Sequence, residues 1–177
     1  MKHIITFLFI TTFLTCCNKD GNPTTTNPVD QLPPATQTGA NTFGCLLDGQ
    51  VFKPGLTNNS YNCFYQFVDG SYYFSLQANR RDSNNNLVRL GCSTQRLQIF
   101  EGQIYQLKER IDGNANGKYF FNLDFVYTTS TEVGELKITK LDFTNNIVSG
   151  TFWYDVRDNQ GVVHQIRDGR FDMQFTQ

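Results

Sequence analysis

The feature that most limits how this chain can fold is an alternation of side chains with a period of two residues. The clearest example covers residues 118–129, where every second position is apolar or aromatic: Tyr119, Phe121, Leu123, Phe125 and Tyr127. Residues 61–68 and 71–79 alternate in the same way. Alternation of this kind directs one set of side chains to a core and the other to solvent, as in a half-buried β-strand. No window shows a convincing amphipathic helix, so we expect a fold made of strands.

Turn signals separate these stretches at strand-length intervals. They are Asp48-Gly49, Asp69-Gly70, Glu101-Gly102, Thr144-Asn145-Asn146, Asp158 to Gly161 and Asp168-Gly169. Asp-Gly pairs suit the positive φ angles of tight hairpins. We therefore predict an all-β fold, an antiparallel β-sandwich or flattened β-barrel of about eight to ten short strands. The candidate segments are 42–47, 50–53, 61–68, 71–79, 87–92, 96–100, 103–107, 118–129, 134–141, 147–156 and 162–175, the last either bent or forming a hairpin at Asp168-Gly169.

Length, aromatic content and charge further limit the kind of protein that this chain can be. The 177 residues suit one domain, and the 14% aromatic content is enough for a core. Fifteen Lys and Arg against sixteen Asp and Glu give a formal net charge of −1. Arg80-Arg81, Arg167 and Arg170 are too dispersed to form a basic track. No nucleic-acid partner is therefore expected.

The N-terminus has the pattern of an export signal. A positive segment at residues 1–3 precedes the apolar run 4–14, which as a helix spans roughly 16 Å, about half of a ~30 Å bilayer core. Such a run is too short for a stable membrane span but suits a cleaved signal peptide. It ends in Leu14-Thr15-Cys16-Cys17, which resembles the bacterial lipobox. The resemblance implies a signal peptide at residues 1–16 and a lipidated Cys17.

The residues that follow Cys17 have the composition of a linker. Residues 18–40 contain four of the five prolines and are rich in Thr and Asn, without an aromatic. Such a segment buries too little apolar surface to offset its ordering entropy. We expect a disordered linker over residues 17–40 and an all-β domain over 41–177. Asn18 lacks the carboxylate that favours inner-membrane retention, so the predicted location is the outer membrane, facing the periplasm or the cell surface.

Four segments near the two ends of the predicted domain carry a family resemblance: Thr42 to Gly49, Ile138 to Asp142, Ser149 to Phe152 and Asp168 to Asp172. These segments resemble a large set of uncharacterised Bacteroidota lipoproteins. The resemblance implies a small, exported, tethered all-β domain. It assigns no activity and no functional residue other than the lipidated cysteine.

Three cysteines, Cys45, Cys63 and Cys92, remain in the predicted domain. They are expected either to be buried as small apolar residues or to include a Cys45–Cys63 or Cys45–Cys92 disulfide, which an exported location permits. Zinc is not expected, because there is no CxxC pair and the mature chain has one histidine.

A calcium site is a weaker alternative. Asp112, Asn114 and Asn116, with Gly117, match the first half of a calcium-binding loop, but position twelve is Leu123 instead of a carboxylate. A polar turn before the next strand accounts for the same residues. We therefore expect no metal and no cofactor.

The sequence offers little support for catalysis. His164 has no evident partner in the sequence, and Ser93 lacks the second glycine and the strand-turn-helix context of a nucleophile elbow. A hydrolase would need His164 beside a carboxylate in a concave pocket. We predict instead a non-enzymatic, lipid-anchored binding or structural module of the cell envelope. Its partner would be an unknown envelope protein or glycan; a carbohydrate- or peptide-binding surface that uses Trp153 and Tyr73 is the alternative.

Overall fold

The computed structural model describes residues 27–56, 60–121 and 123–177. These residues form eleven strands and one short 3-10 helix, Pro28–Gln31. The all-β class predicted from the alternation is confirmed, with one strand more than expected. The strands are β1 (Thr42–Leu47), β2 (Gln50–Phe52), β3 (Tyr61–Val68), β4 (Ser71–Arg81), β5 (Leu87–Thr94), β6 (Ile104–Leu107), β7 (Ala115–Phe121), β8 (Asp124–Tyr127), β9 (Gly134–Asp142), β10 (Ile147–Arg157) and β11 (Val163–Gln174).

All the strands belong to one large sheet, ordered β2-β1-β11-β10-β9-β6-β7-β5-β4-β3, with β8 added beside β7. The pairs are antiparallel except for a single parallel contact between β6 and β7. The sheet is not closed, but its two halves face each other across one core. The Phe74 ring of β4, for example, lies 6.4 Å from the Phe171 ring of β11. No helix among the described residues is long and apolar enough to cross a bilayer.

The alternation correctly predicted which face of most strands is buried. In β4 the buried positions are Phe74, Leu76 and Ala78, while the residues between them are partly exposed. Cys63 and Tyr65 occupy the equivalent positions of β3. Two of the three Asp-Gly turns also form as predicted: φ is 51° and 77° at Asp48 and Gly49, and 49° and 76° at Asp69 and Gly70.

Two strand predictions were wrong in detail. Residues 96–100 are not a strand. Residues 118–129 are not one strand, because Phe121 pairs with Asp124 and the chain reverses there. Leu123, with φ of 79° and 88% exposure, belongs to that turn and not to a core face. Around Asp168-Gly169, by contrast, β11 continues as one strand, with a register shift opposite Phe152 and Tyr154.

The linker prediction was wrong for residues 27–40, which pack on the domain. Leu32 is buried, and Pro33 lies so close to Gly44 that a Cβ there would come within 2.5 Å of its Cδ. Farther along, the fully buried carboxylate of Asp172 accepts bonds from the backbone N–H groups of Thr38, Gly39 and Ala40, at 2.9, 2.8 and 3.2 Å. A segment without aromatic residues is thus ordered by hydrogen bonds. The domain begins at or before residue 27, and the predicted signal peptide, Cys17 and residues 18–26 lie outside the described residues.

Candidate functional site: a pocket on the outer sheet face

The side chains of β3, β4, β5, β7 and β8 that point away from the core surround a cavity of about 440 Å³. This size lies within the range of small-molecule sites. We call it the sheet-face pocket. Its lining includes Phe64, Gln66, Tyr73, Ser75, Ser93, Arg110, Lys118, Phe125 and Tyr127.

The local pairing explains why these side chains meet. Ser75 pairs with Ser93, and Ser93 with Asn116, so a row of polar residues crosses three strands on one face. The β7–β8 hairpin pairs Lys118 with Tyr127, which places both on that same face. The reversal of the chain between Phe121 and Asp124 therefore brings an aromatic ring beside the lysine.

Lys118 is the most unusual residue of the pocket. Its side chain is buried, and its Nζ donates a hydrogen bond to Ser75 Oγ at 2.8 Å. No carboxylate of the described residues forms an ion pair with it. Desolvation by burial, reinforced by the charges of Arg89 and Arg110, lowers the pKa of Lys118 to about 8. The ammonium form still dominates at pH 7.

The backbone beneath Lys118 is shaped to admit its side chain. Gly91 pairs with Lys118, and a Cβ on Gly91 would come within 2.9 Å of the lysine Cε and 2.0 Å of the Leu76 carbonyl oxygen. From the core side, the buried hydroxyl of Tyr154 donates to the Lys118 carbonyl at 2.7 Å and accepts from the Gly91 N–H at 3.3 Å. Both strands are thereby fixed where the lysine crosses them.

The electrostatic character of the pocket is positive. Lys118 and Arg110 are its charged lining residues, and neither Asp, Glu nor His is among the described residues that line it. The guanidinium carbon of Arg110 lies 5.3 Å from the centroid of the Tyr127 ring. Behind Ser93, Asn116 is fully buried, and its Nδ2 has no hydrogen-bond partner within the described residues. An anionic group is the complementary ligand for such a surface.

The two aromatic candidates predicted from the sequence lie in different places. Tyr73 lines the sheet-face pocket, whereas Trp153 lines a separate cavity of about 350 Å³ together with Lys137 and Arg170. The Arg167 guanidinium carbon lies 5.4 Å from the Trp153 ring centroid, and the indole N–H donates to Glu135 at 3.3 Å. The structure therefore does not join Trp153 and Tyr73 into one patch.

His164 has the carboxylate partners that the sequence did not reveal. Its Nδ1 lies 2.8 Å from an Asp48 oxygen, its Nε2 lies 3.3 Å from an Asp158 oxygen, and its ring lies 4.6 Å from the Tyr119 ring. Desolvation by burial acts to raise the pKa of Asp158. Hydrogen bonds from the Val162 N–H and from His164 outweigh this effect, so the pKa of Asp158 is lowered overall. Both ring nitrogens are thus engaged, and the cavity beside Tyr119 and Asp158 has a volume of only about 20 Å³.

The three residues of the predicted calcium half-loop have separate partners. Asp112 forms an exposed ion pair with Arg96, Asn114 donates to the Glu109 carbonyl, and Asn116 accepts from Ser93. Residues 115–117 belong to strand β7 instead of a loop. In the described part of the chain, no group of three or more His, Cys, Asp or Glu side chains is placed to hold a metal ion.

The three domain cysteines are buried and free, without a disulfide between them. Cys63 of β3 and Cys92 of β5 both pair with Leu76 of the intervening β4. Two strand spacings, roughly 9.6 Å, separate them, which is more than a disulfide spans. Burial raises the pKa of all three thiols, so they are protonated and unreactive at neutral pH.

Comparison of the chain with protein-family models, curated proteins and solved structures found no match. The resemblance of the chain ends to Bacteroidota lipoproteins therefore stays a prediction. Among the pocket residues, Lys118, Ser75, Arg110, Phe125 and Tyr127 were not predicted as a site. One sequence signal for them existed, a lysine within a predicted strand, directly before three aromatic residues, Tyr119, Phe120 and Phe121.

Proposed function

We propose that this protein is a lipid-anchored, non-enzymatic binding module of the bacterial cell envelope, and that its ligand occupies the sheet-face pocket. The observation that carries the binding role is the buried ammonium of Lys118, which has no carboxylate partner among the described residues and lies at the wall of a cavity of about 440 Å³. A charge without a counter-ion is costly to bury, and a bound anion would offset that cost.

The geometry at His164 supports a binding role over hydrolysis. A general base needs a nitrogen within reach of the substrate proton and a cavity that admits the substrate. His164 has both nitrogens engaged by Asp48 and Asp158, beside a cavity of about 20 Å³. The sheet-face pocket, for its part, has no histidine or carboxylate among its described lining residues.

The proposed anchor is Cys17, with acyl chains on its sulfur and its amine. One chain holds a protein to a membrane only marginally, whereas two or three make release negligible. Since residues 27–40 pack on the domain, the tether would be residues 18–26, which reach about 30 Å when extended. The pocket would then be held close to the outer membrane.

Cys17→Ala tests the anchor. The expected result is loss of palmitate incorporation and transfer from the detergent phase to the aqueous phase in a phase-partition assay. Cys16→Ala is the matched control, because alanine also satisfies the small-residue position before the lipidated cysteine. Unchanged partitioning of Cys17→Ala would contradict the anchor.

A pocket-filling variant tests the binding role. Gln66 lines the sheet-face pocket, so Gln66→Trp should occupy part of its volume, while Gln50→Trp adds the same ring to an exposed position of β2. The chain from residue 18 onward, which holds every described element, is screened by thermal shift against carboxylates, phosphates, neutral sugars and short peptides. A ligand at about 100 times its Kd raises the free energy of unfolding by about 2.7 kcal/mol, or Tm by roughly 5–10 °C.

We expect at least one of these classes to stabilise the unsubstituted chain and Gln50→Trp, but not Gln66→Trp. If no class stabilises the protein, or if Gln66→Trp responds like the control, the ligand does not occupy this pocket.

The Trp153 cavity supports a second candidate function, glycan binding. It combines Trp153, a residue that is 36% exposed, with the polar side chains of Lys137 and Arg170. Trp153 is the single tryptophan of the chain, so its fluorescence reports directly on this cavity. A saturable fluorescence change on addition of envelope oligosaccharides would support glycan binding, and an unchanged spectrum across the panel would exclude it at this cavity.

A further inference from the structure

The chemistry of a ligand for the sheet-face pocket can be inferred from the donors that point into it. The Lys118 ammonium carries three N–H donors, and one is used by Ser75 Oγ at 2.8 Å. The Ser75 hydroxyl accepts that bond, and no acceptor for its own proton is found in the described part of the chain, so this proton can be donated to a ligand. The innermost part of the pocket therefore offers a compact set of donors and one positive charge.

This set of donors matches a carboxylate better than a phosphate. A carboxylate carries one negative charge on two oxygens, which the ammonium and one hydroxyl can satisfy. A phosphate dianion has three terminal oxygens and would need a larger set of donors. The second positive group, Arg110, lies at the exposed rim of the pocket, where its guanidinium lies over the Tyr127 ring.

The remaining walls are aromatic. Phe64, Tyr73, Phe125 and Tyr127 line the cavity, and the last two rings are stacked with centroids 5.8 Å apart and an interplanar angle of 19°. Aromatic walls favour a flat apolar ligand body, which gains from both burial and ring stacking.

We infer that the sheet-face pocket binds a small organic carboxylate with a flat, aromatic body, whose carboxylate contacts Lys118 Nζ and the Ser75 hydroxyl. This inference rests on the proposed binding function and specifies the ligand class for the same pocket. The ring of the ligand lies between Phe64, Tyr73 and the rings of β8.

Two probes of the same shape distinguish the contribution of the negative charge to affinity from the contribution of the ring. 2-Naphthoate and 2-naphthamide share their rings and differ in the negative charge. Calorimetric titration of the chain from residue 18 onward, at pH 7, should show naphthoate binding at least roughly tenfold more tightly than naphthamide, the ratio expected for a charge-assisted hydrogen bond. Lys118→Met should reduce naphthoate affinity to that of naphthamide and leave naphthamide affinity unchanged.

Lys137→Met is the matched control, since Lys137 lines the Trp153 cavity instead, and it should preserve the preference for naphthoate. Equal affinity for the two probes in the unsubstituted chain would overturn the carboxylate inference while leaving a ligand pocket in place. Binding of neither probe would also overturn it, and the pocket-filling test above then decides the proposed function separately. Displacement of naphthoate by equimolar inorganic phosphate would contradict the inference that the ligand has an aromatic body.

A pH titration keeps the inference testable if Lys118→Met does not fold. Naphthoate affinity should fall between pH 7 and pH 9 as the Lys118 ammonium loses its proton, while naphthamide affinity stays constant. The other charged or titratable groups that act on this amine are Arg89, Arg110 and the thiols of Cys63 and Cys92. Burial raises the pKa of both thiols, so they stay protonated. Tyr73 and Tyr127 also line the pocket, and the titration stops at pH 9. Constant naphthoate affinity would overturn the role of Lys118.

Discussion

At the scale of single residues, the carboxylate of Asp172 contributes most to joining distant parts of the chain. Its two oxygens accept hydrogen bonds from the side chains of Thr36, Thr38 and Ser149 and from three backbone N–H groups of residues 38–40. Desolvation by burial acts to raise the pKa of Asp172, but these hydrogen bonds outweigh it and hold that pKa far below its usual range. The ionised carboxylate is therefore part of the folded structure.

Asp172→Asn should lower the free energy of unfolding by about 3 kcal/mol, because an amide cannot accept all of these bonds and leaves buried N–H groups unpaired. Urea denaturation at pH 7 measures the change. The control is Asp168→Asn, an exposed position of the same strand with φ of 52°, which asparagine tolerates; its effect should stay within about 0.5 kcal/mol.

The same carboxylate predicts an acid dependence. A group whose folded pKa is depressed contributes stability above its unfolded pKa of about 3.9, and that contribution is lost as the pH falls below this value. The unsubstituted chain should therefore lose stability more steeply than Asp172→Asn between pH 4 and pH 2 in urea denaturation curves. Parallel curves for the two proteins over this range would contradict the role assigned to Asp172.

At the scale of elements, the β7–β8 hairpin shows what the period-two alternation can predict about a strand and what it cannot. Period two correctly identified strand residues from 118 onward, and it correctly assigned Tyr119 to the core. It could not reveal the reversal after Phe121, because no Asp-Gly or Asn-Gly pair marks this turn. The reversal pairs Lys118 with Tyr127 and Phe120 with Phe125. An uninterrupted strand would have placed Phe125 and Tyr127 on the same face as Tyr119, so the pocket could not be predicted.

The disorder that composition predicted for residues 27–40 was wrong for a different reason. A segment with little apolar surface is expected to be disordered, but its order here depends on Asp172 and Gly44, which lie at least eleven residues farther along the chain. Contacts between residues so far apart along the chain leave no pattern in the local sequence. The same limit applies to Asp48, His164 and Asp158, which meet only after β1 and β11 have paired.

Removal of residues 27–40 should destabilise the domain, because it exposes the surface that Leu32 covers and leaves Asp172 with a single described side-chain donor, Ser149. We expect a chain that begins at residue 41 to unfold at a Tm at least roughly 5 °C below that of a chain that begins at residue 27, for a loss of about 2 kcal/mol or more. Differential scanning calorimetry measures both. Equal Tm values would mean that the segment is not part of the folded unit.

The free cysteines of β1, β3 and β5 give a further prediction at this scale. Unfolding of the chain from residue 18 onward, which lacks Cys16 and Cys17, should expose three thiols to a labelling reagent without reductant: Cys45, Cys63 and Cys92. In the folded protein the same thiols should label very slowly, because they are buried and protonated. A count of one thiol after unfolding would show that a disulfide forms and would contradict this packing.

At the scale of the whole molecule, a single sheet folds on itself so that its inner face forms the core and part of its outer face forms the pocket. Tyr154 connects the two, since its ring packs beneath Gly117 in the core and its hydroxyl bonds the backbone of Gly91 and Lys118. The core thus fixes the position of the pocket lysine. The C-terminal residues bond to β3, with Thr176 accepting from the Tyr65 N–H at 2.9 Å, and cover part of that edge strand.

The most direct test of the account is to locate the bound probe on the molecule. Two-dimensional amide NMR of the chain from residue 18 onward, titrated with 2-naphthoate, should shift the signals of Ser75, Ser93, Lys118 and Tyr127 in a saturable way. The signals of Trp153 and Arg170, in the other cavity, should not move. Saturable shifts confined to the Trp153 cavity, or no saturable shift at all, would contradict the claim that this protein binds its ligand on the outer face of β3, β4, β5, β7 and β8.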